Sequence, residues 1–179
     1  MKDVMFDLET LGVTPSAVIL SVGAVKFDLD TGEIDDAGFY ASISIDDQLS
    51  HDRKIDESTL IWWLGQSKEA QAVFHEPKQL LADVLDSLTE WLGHNKRCVW
   101  SNGADFDLPM LAHAYTSLGM TVPWQFWNSR CVRTYKNLPS ADTLPKQVPG
   151  IKHNALHDAL AQVRTVQAIQ KMLRNGRKA

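Results

Sequence analysis

Asp7 and Glu9, in the run Asp7-Leu8-Glu9-Thr10-Leu11-Gly12, stand two residues apart in an apolar strand-like segment, so both carboxylates project from one sheet face. Burying like charges is costly unless cations or donors compensate them, and no Lys or Arg lies between Asp3 and Val25. The pair therefore calls for an external cation. Further candidates follow in Asn102-Gly103-Ala104-Asp105-Phe106-Asp107, after a later strand, and in His153 with Asp158 around the start of the last helix. A donor set of carboxylate oxygens with room for phosphate suits hard divalent ions such as Mg²⁺ or Mn²⁺, whereas zinc prefers nitrogen or sulfur. An unperturbed imidazole is largely neutral at pH 7, so His153 can take a proton from water. Asn154 is a good N-cap, which places Asp158 about one turn into the helix and leaves His153 in the preceding loop, free to move over a substrate. The helix end disfavours imidazolium and the nearby carboxylates favour it.

The elements that must position these groups follow from pattern. Val18 to Phe27 reads as a second strand, Asp30-Thr31-Gly32-Glu33 as a turn, and Gly38 to Ile45 as a third strand, giving an antiparallel opening. A polar stretch from Asp46 to Lys54 precedes two short helices broken at Gly65. Pro77 is placed to begin a helix whose apolar positions run from Leu80 to Leu92 before Gly93. Arg97 to Ser101 predicts a buried strand, Asp105 to Leu118 a helix stopped by Gly119, Phe126-Trp127-Asn128 a last strand, Pro139 to Pro149 a loop, and Ala155 to Leu173 the closing helix. A meander followed by crossover helices and parallel strands is an α/β mixed sheet flanked by helices.

A chain of 179 residues, 44% hydrophobic, supports one core and hence a single domain over 1–179, with a basic tail from about 174 expected to fray. No apolar run approaches a membrane span, and strand-like Val4-Met5-Phe6 follows Lys2 and Asp3 without a signal peptide, which predicts a cytoplasmic protein and no membrane partner. Cys98 and Cys131 are too few for a disulfide framework and lack zinc-site spacing. The formal charge of −4 argues at first against a phosphate-rich partner, but two divalent cations would add +4 where the substrate binds. Arg130, Arg133, Lys136, Lys146 and Lys152 supply local positive charge in the C-terminal third.

The ordered set Asp-x-Glu, Asn-x3-Phe-Asp and His-x4-Asp resembles the DEDDh group of 3′-to-5′ exonucleases, ribonuclease T-like enzymes with a ribonuclease H-like fold. The blocks Asp7 to Gly12, Ala17 to Phe27, Ser101 to Asp107 and His153 to Ala159 look most like phage and bacterial members related to an adenosine-preferring exoribonuclease. The resemblance implies that Asp7 bridges two ions, Glu9 and Asp158 bind the first, Asp107 supports the second, and His153 is the general base. Two ions would clamp the attacking water and leaving 3′ oxygen, releasing 5′-mononucleotides from single-stranded RNA or DNA 3′ ends. Related exonucleases often act as dimers, so a homodimer is compatible with it.

Thr10, Leu11, Trp62, Trp63, Asn102, Arg130 and Arg133 are candidate substrate contacts. Adjacent helical tryptophans point about 100° apart, so one of Trp62 and Trp63 is expected in the core and one near the groove, where it could stack on a base. Leu11 is a wedge against the terminal base or simply packs the turn; Arg130 and Arg133 hold phosphates or are solvated. Asp105 competes with Asp107, an N-terminal Asp often being a helix cap, although Phe-Asp fits the family block. His157 lacks partners for a zinc pair and reads as an exposed neighbour of the site, and His51, His75, His94 and His113 read as surface residues. The rival readings are an inactive nucleic-acid binding module and an endonuclease or resolvase of the wider ribonuclease H-like class.

Overall fold

In the computed structural model, residues 1–35, 37–93, 97–103, 105–138 and 153–176 are described. Five strands, β1 (Asp3–Thr10), β2 (Ile19–Phe27), β3 (Phe39–Ser42), β4 (Cys98–Ser101) and β5 (Ser129–Cys131), form one sheet in the order β3-β2-β1-β4-β5. β1 pairs antiparallel with β2, and β2 with β3, while β4 runs parallel to β1 and β5 to β4. This is the mixed α/β sheet expected from the pattern.

Alternation along β1 divides its side chains between two cores. Val4, Phe6 and Leu8 pack with Leu81, Val84, Leu85 and Leu88 of α4 (Leu81–Leu92) and with Leu108 and Leu111 of α5 (Asp107–Ser117). Met5 faces the other way, joining Val25 and Phe27 beneath Ala159, Val163 and Val166 of α7 (Ala155–Gly176). Asp7 and Glu9 share the parity of Met5, so they emerge on the α7 side. Gly23, opposite Asp7 in the β1–β2 register, lets the N-terminus of α7 lie directly on the sheet: a Cβ there would meet the Ala155 carbonyl carbon at 2.2 Å.

Several expected boundaries move. The third strand is only Phe39–Ser42, because Ser44 caps a helix, α1 (Ile45–Ser50), inside the stretch read as polar. That helix is polar in sequence yet carries fully buried Gln48, which accepts from Ile19 N–H at 2.9 Å and donates to Ile19 carbonyl at 2.8 Å. The two short helices are α2 (Glu57–Leu64) and α3 (Lys68–Gln71). Pro77 lies ahead of α4, which starts at Leu81, where Asp47 Oδ2 accepts the freed Leu81 N–H. Phe126-Trp127-Asn128 is a 3₁₀ turn, not a strand; β5 is the next three residues, and Phe126 and Trp127 are 81% and 62% exposed. A short α6 (Val132–Lys136) follows. α7 continues to Gly176, three residues past the Leu173 expected as its end, with Arg174 Nη1 donating to the Asp30 carbonyl at 2.6 Å. His113 is half-buried beside Arg53 instead of at the surface. His94, Lys146, Lys152, the Pro139–Pro149 segment and the last three tail residues lie outside the described residues. No described helix is long and apolar enough to cross a membrane.

Candidate active site

β1 and β4 pair only from Asp3 to Met5 on the β1 side, after which β4 turns away toward α5. The notch so opened exposes the Leu8 N–H, which donates to Asp107 Oδ1 at 3.1 Å. Asp107, the first residue of α5, is thereby fixed beside Asp7, only 4% exposed. Asp105 is exposed and does not line the groove, so of the two competing carboxylates the geometry brings Asp107 to the site.

From the opposite side α7 contributes Asp158. Asn154 caps the helix, its Oδ1 accepting His157 N–H at 3.1 Å, and Asp158 Oδ2 accepts the His153 N–H at 2.9 Å. One ligand atom each from Glu9, His153 and Asp158 lie within 4.8 Å of one another. His153 occupies the left-handed region at φ 62°, a strained setting for a residue with a Cβ. Its ring is not free: it stands edge-on to Trp62 at 4.9 Å and near Trp63 at 6.2 Å between centroids. Trp63, 1% exposed, donates Nε1–H to the Thr10 carbonyl at 2.8 Å, while Trp62 is 45% exposed on the groove. The tryptophans thus divide between core and groove as their helical angle predicts.

Electrostatics at the site are severe. Burial, then Asp107, Glu9 and Asp158, pushes the Asp7 carboxyl well above its ordinary range. Burial together with Asp158 and Asp107 pushes Glu9 up to about 8. Burial pushes Asp107 to about 7, against the opposing pull of its backbone donors and Arg133. Such a cluster takes up protons or divalent cations at neutral pH, and its hard oxygen donors fit Mg²⁺ or Mn²⁺. The residues present therefore suit the metal chemistry the sequence implies.

These groups line a groove of about 1020 Å³ together with Thr10, Asn102 and Arg133. Asn102 Oδ1 is buried there without a donor among the described residues. Two expected contacts lie elsewhere. Leu11 is 1% exposed, packed with Val18, Leu20 and Trp63, so it has no free face to act as a wedge. Arg130 turns back on its own loop, donating to the Trp127 and Ser129 carbonyls at 3.0 and 2.9 Å. His157 lines the groove, exposed and apart from the Glu9–His153–Asp158 group. Reading the sequence for chemistry missed Gln162, whose Nε2 donates to Asp7 Oδ1 at 2.7 Å, and the groove-lining Ser58, Thr59 and Thr165. Gln162 has a sequence signal, one helical turn after Asp158 on the same face.

The family model described as the 3′-5′ exoribonuclease Rv2179c-like domain matches residues 2–170. An exodeoxyribonuclease of Enterobacteria phage T4 is 26% identical over 161 residues, covering 75% of this chain and 70% of that protein. The nuclease domain of 3′hExo, a DEDDh family member solved bound to rAMP, shares the fold at a TM-score of 0.60 and 16% identity, with 97% of this chain and 92% of that one covered. Cell-death related nuclease 4 gives 0.62 at 13% identity over 94% and 63% of the two chains. E. coli exonuclease I in complex with a dT13 oligonucleotide gives 0.62 at 19% identity over 96% and 40%. This chain thus spans less than two thirds of the last two proteins, and the common part is the ribonuclease H-like α/β fold. With its ordered acidic blocks and a match along almost its whole length, the chain belongs to the 3′-5′ exoribonuclease Rv2179c-like family and is a DEDDh-type 3′-5′ exonuclease.

Proposed function

We propose that this enzyme hydrolyses the terminal phosphodiester of single-stranded 3′ ends and releases 5′-mononucleotides, with Asp7, Glu9, Asp107 and Asp158 holding two divalent ions and His153 as general base. The observation that carries this reading is the convergence of four carboxylates from β1, α5 and α7, with burial holding Asp7, Glu9 and Asp107 far above the usual carboxylate range and repulsion from neighbouring carboxylates adding to it at Asp7 and Glu9. No described Lys or Arg side chain hydrogen-bonds to Asp7 or Glu9. Mg²⁺ or Mn²⁺ held there would supply Lewis-acid stabilisation of the charge developing on the phosphoryl oxygens and would lower the pKa of a bound water.

The protein's own groups do the rest. His153, kept at the groove by the Trp62 edge and by its N–H to Asp158, takes a proton at a ring nitrogen as water attacks phosphorus. Arg133, the cation closest in effect to Asp107, faces a backbone phosphate, and exposed Trp62 offers an apolar face for a terminal base. A groove lined by the C-terminal half of the central strand β1 and by residues of α2, α5 and α7 suits an unpaired strand, so duplexes must fray before cleavage.

Nucleotide release from 3′- and 5′-labelled oligonucleotides in Mg²⁺, Mn²⁺ or EDTA tests the proposal. Release is expected from the 3′ end only, abolished by EDTA and by Asp7→Ala; undiminished release by Asp7→Ala refutes it. Binding without metal-dependent cleavage would instead mark an inactive module, and cutting of closed circular single strands an endonuclease. Because the matched family is described as exoribonuclease and the phage relative as exodeoxyribonuclease, matched single-stranded RNA and DNA and duplexes with 3′ overhangs belong in the same panel.

A further inference from the structure

Asp7 sits among three other carboxylates, and among the described residues the side-chain donor that reaches it is Gln162, through a 2.7 Å hydrogen bond from Nε2 to Oδ1. That bond ties β1 to α7 across 155 positions of the chain. Gln162 is 8% exposed and lines the groove one turn beyond Asp158. Its Oε1 is buried with no donor among the described residues. A glutamine retained for packing would be satisfied at both ends or replaced by an apolar side chain; here one polar atom is left orphaned so that the other can serve Asp7. Against an ionised Asp7, the state that binds a cation, the amide has one workable orientation, since turning it would set Oε1 against a carboxylate oxygen. A neutral donor also suits the site. Lys or Arg at this position would cancel the charge that attracts cations, whereas an amide N–H fixes one oxygen and leaves the charge in place.

We infer that Gln162 is a positioning residue for Asp7, anchoring Oδ1 from the groove face of α7 so that the carboxylate meets a divalent cation in a single orientation. The inference rests on Asp7 being a cation ligand, as proposed above. Conversely, the neighbouring apolar positions Ala159, Val163 and Val166 lock the helix on the sheet, so loss of the amide removes the anchor without removing the packing.

Calorimetric titration of the EDTA-stripped full chain with Mn²⁺ tests it, alongside single-turnover and steady-state cleavage of an oligonucleotide and the metal-free thermal midpoint. Gln162→Met is expected to bind Mn²⁺ about 10-fold more weakly and to lose about 10-fold in kcat, with KM within about 2-fold and the thermal midpoint preserved. Gln162→Asn, an amide one methylene short of Asp7, should show the same loss, and Gln162→Lys should abolish Mn²⁺ binding. Wild-type affinity and kcat in Gln162→Met, while Asp7→Asn has lost Mn²⁺, would overturn this inference and leave the site reading standing. Mn²⁺ binding untouched in Asp7→Asn would overturn both. A fall in thermal midpoint that accounts for the losses in both Gln162→Met and Gln162→Asn would assign Gln162 a structural role and overturn the positioning one.

Discussion

A histidine beside carboxylates can hold the cation or take the proton, and the two roles leave different kinetic traces. His153 lies within 4.8 Å of ligand atoms of Glu9 and Asp158, which by distance alone allows coordination. Its edge-on contact with Trp62 and its backbone bond to Asp158 hold the residue beside the acidic cluster, a placement that serves a base equally well. As a base it is expected to lose about 100-fold or more in kcat on His153→Ala, with Mn²⁺ affinity changed less than about 3-fold, by steady-state kinetics and calorimetry. Parallel loss of both would make it a ligand. At this scale the grouping was legible: Asp7, Glu9, Asp107, Asp158 and His153, singled out by type and spacing, line one groove, and the roles of cation ligand and base are those proposed for them. The groups that hold them were not. The Trp63 bond to the Thr10 carbonyl and the Gln162 bond to Asp7 join positions far apart in the chain, and nothing local in either residue advertises its partner.

Elements decide whether those side chains meet. β1 was readable because apolar residues run through it on both faces, and α7 because its cap and period agree. α1 escaped notice since its one buried face is carried by Gln48, a polar residue acting as a pairing partner for Ile19. β5 was misplaced by three residues because exposed Phe126 and Trp127 have strand-like chemistry but no strand partner. Gly23 is the element-level counterpart of the acidic motif. An alanine there would set Cβ 2.2 Å from the Ala155 carbonyl carbon and 2.3 Å from Leu156 N, forcing α7 away from β2 and taking Asp158 and Gln162 with it. Gly23→Ala should therefore cost about 1–3 kcal/mol in urea unfolding at unchanged m, and lower kcat further than the small folded-fraction change explains. Full activity with wild-type stability would show that α7 does not rest on this contact.

For the whole molecule, the acidic site is a stability liability that bound cations would offset. Glu9 titrates at about 8 in the fold against an ordinary 4.5, and Asp107 at about 7 against 3.8, both chiefly through burial, with Asp7 raised in the same direction. Between roughly pH 4.5 and 8 the unfolded chain has released protons that the cation-free folded chain still binds, so raising pH through this window favours unfolding. Each pKa unit corresponds to about 1.4 kcal/mol, enough for a visible slope even if only part of the shift is realised. On the proposed function, Mg²⁺ or Mn²⁺ would bind the ionised carboxylates of the folded state, with a stabilisation that grows as protons leave. The thermal midpoint in EDTA is thus expected to fall from pH 5 to pH 8, and the increment gained on adding Mn²⁺ to be larger at pH 8 than at pH 5. Asp7→Asn should flatten both trends by removing one of the repelling charges. An EDTA-treated chain equally stable at both pH values, gaining nothing from Mn²⁺ at either, would mean that the four carboxylates neither repel in the fold nor gather cations.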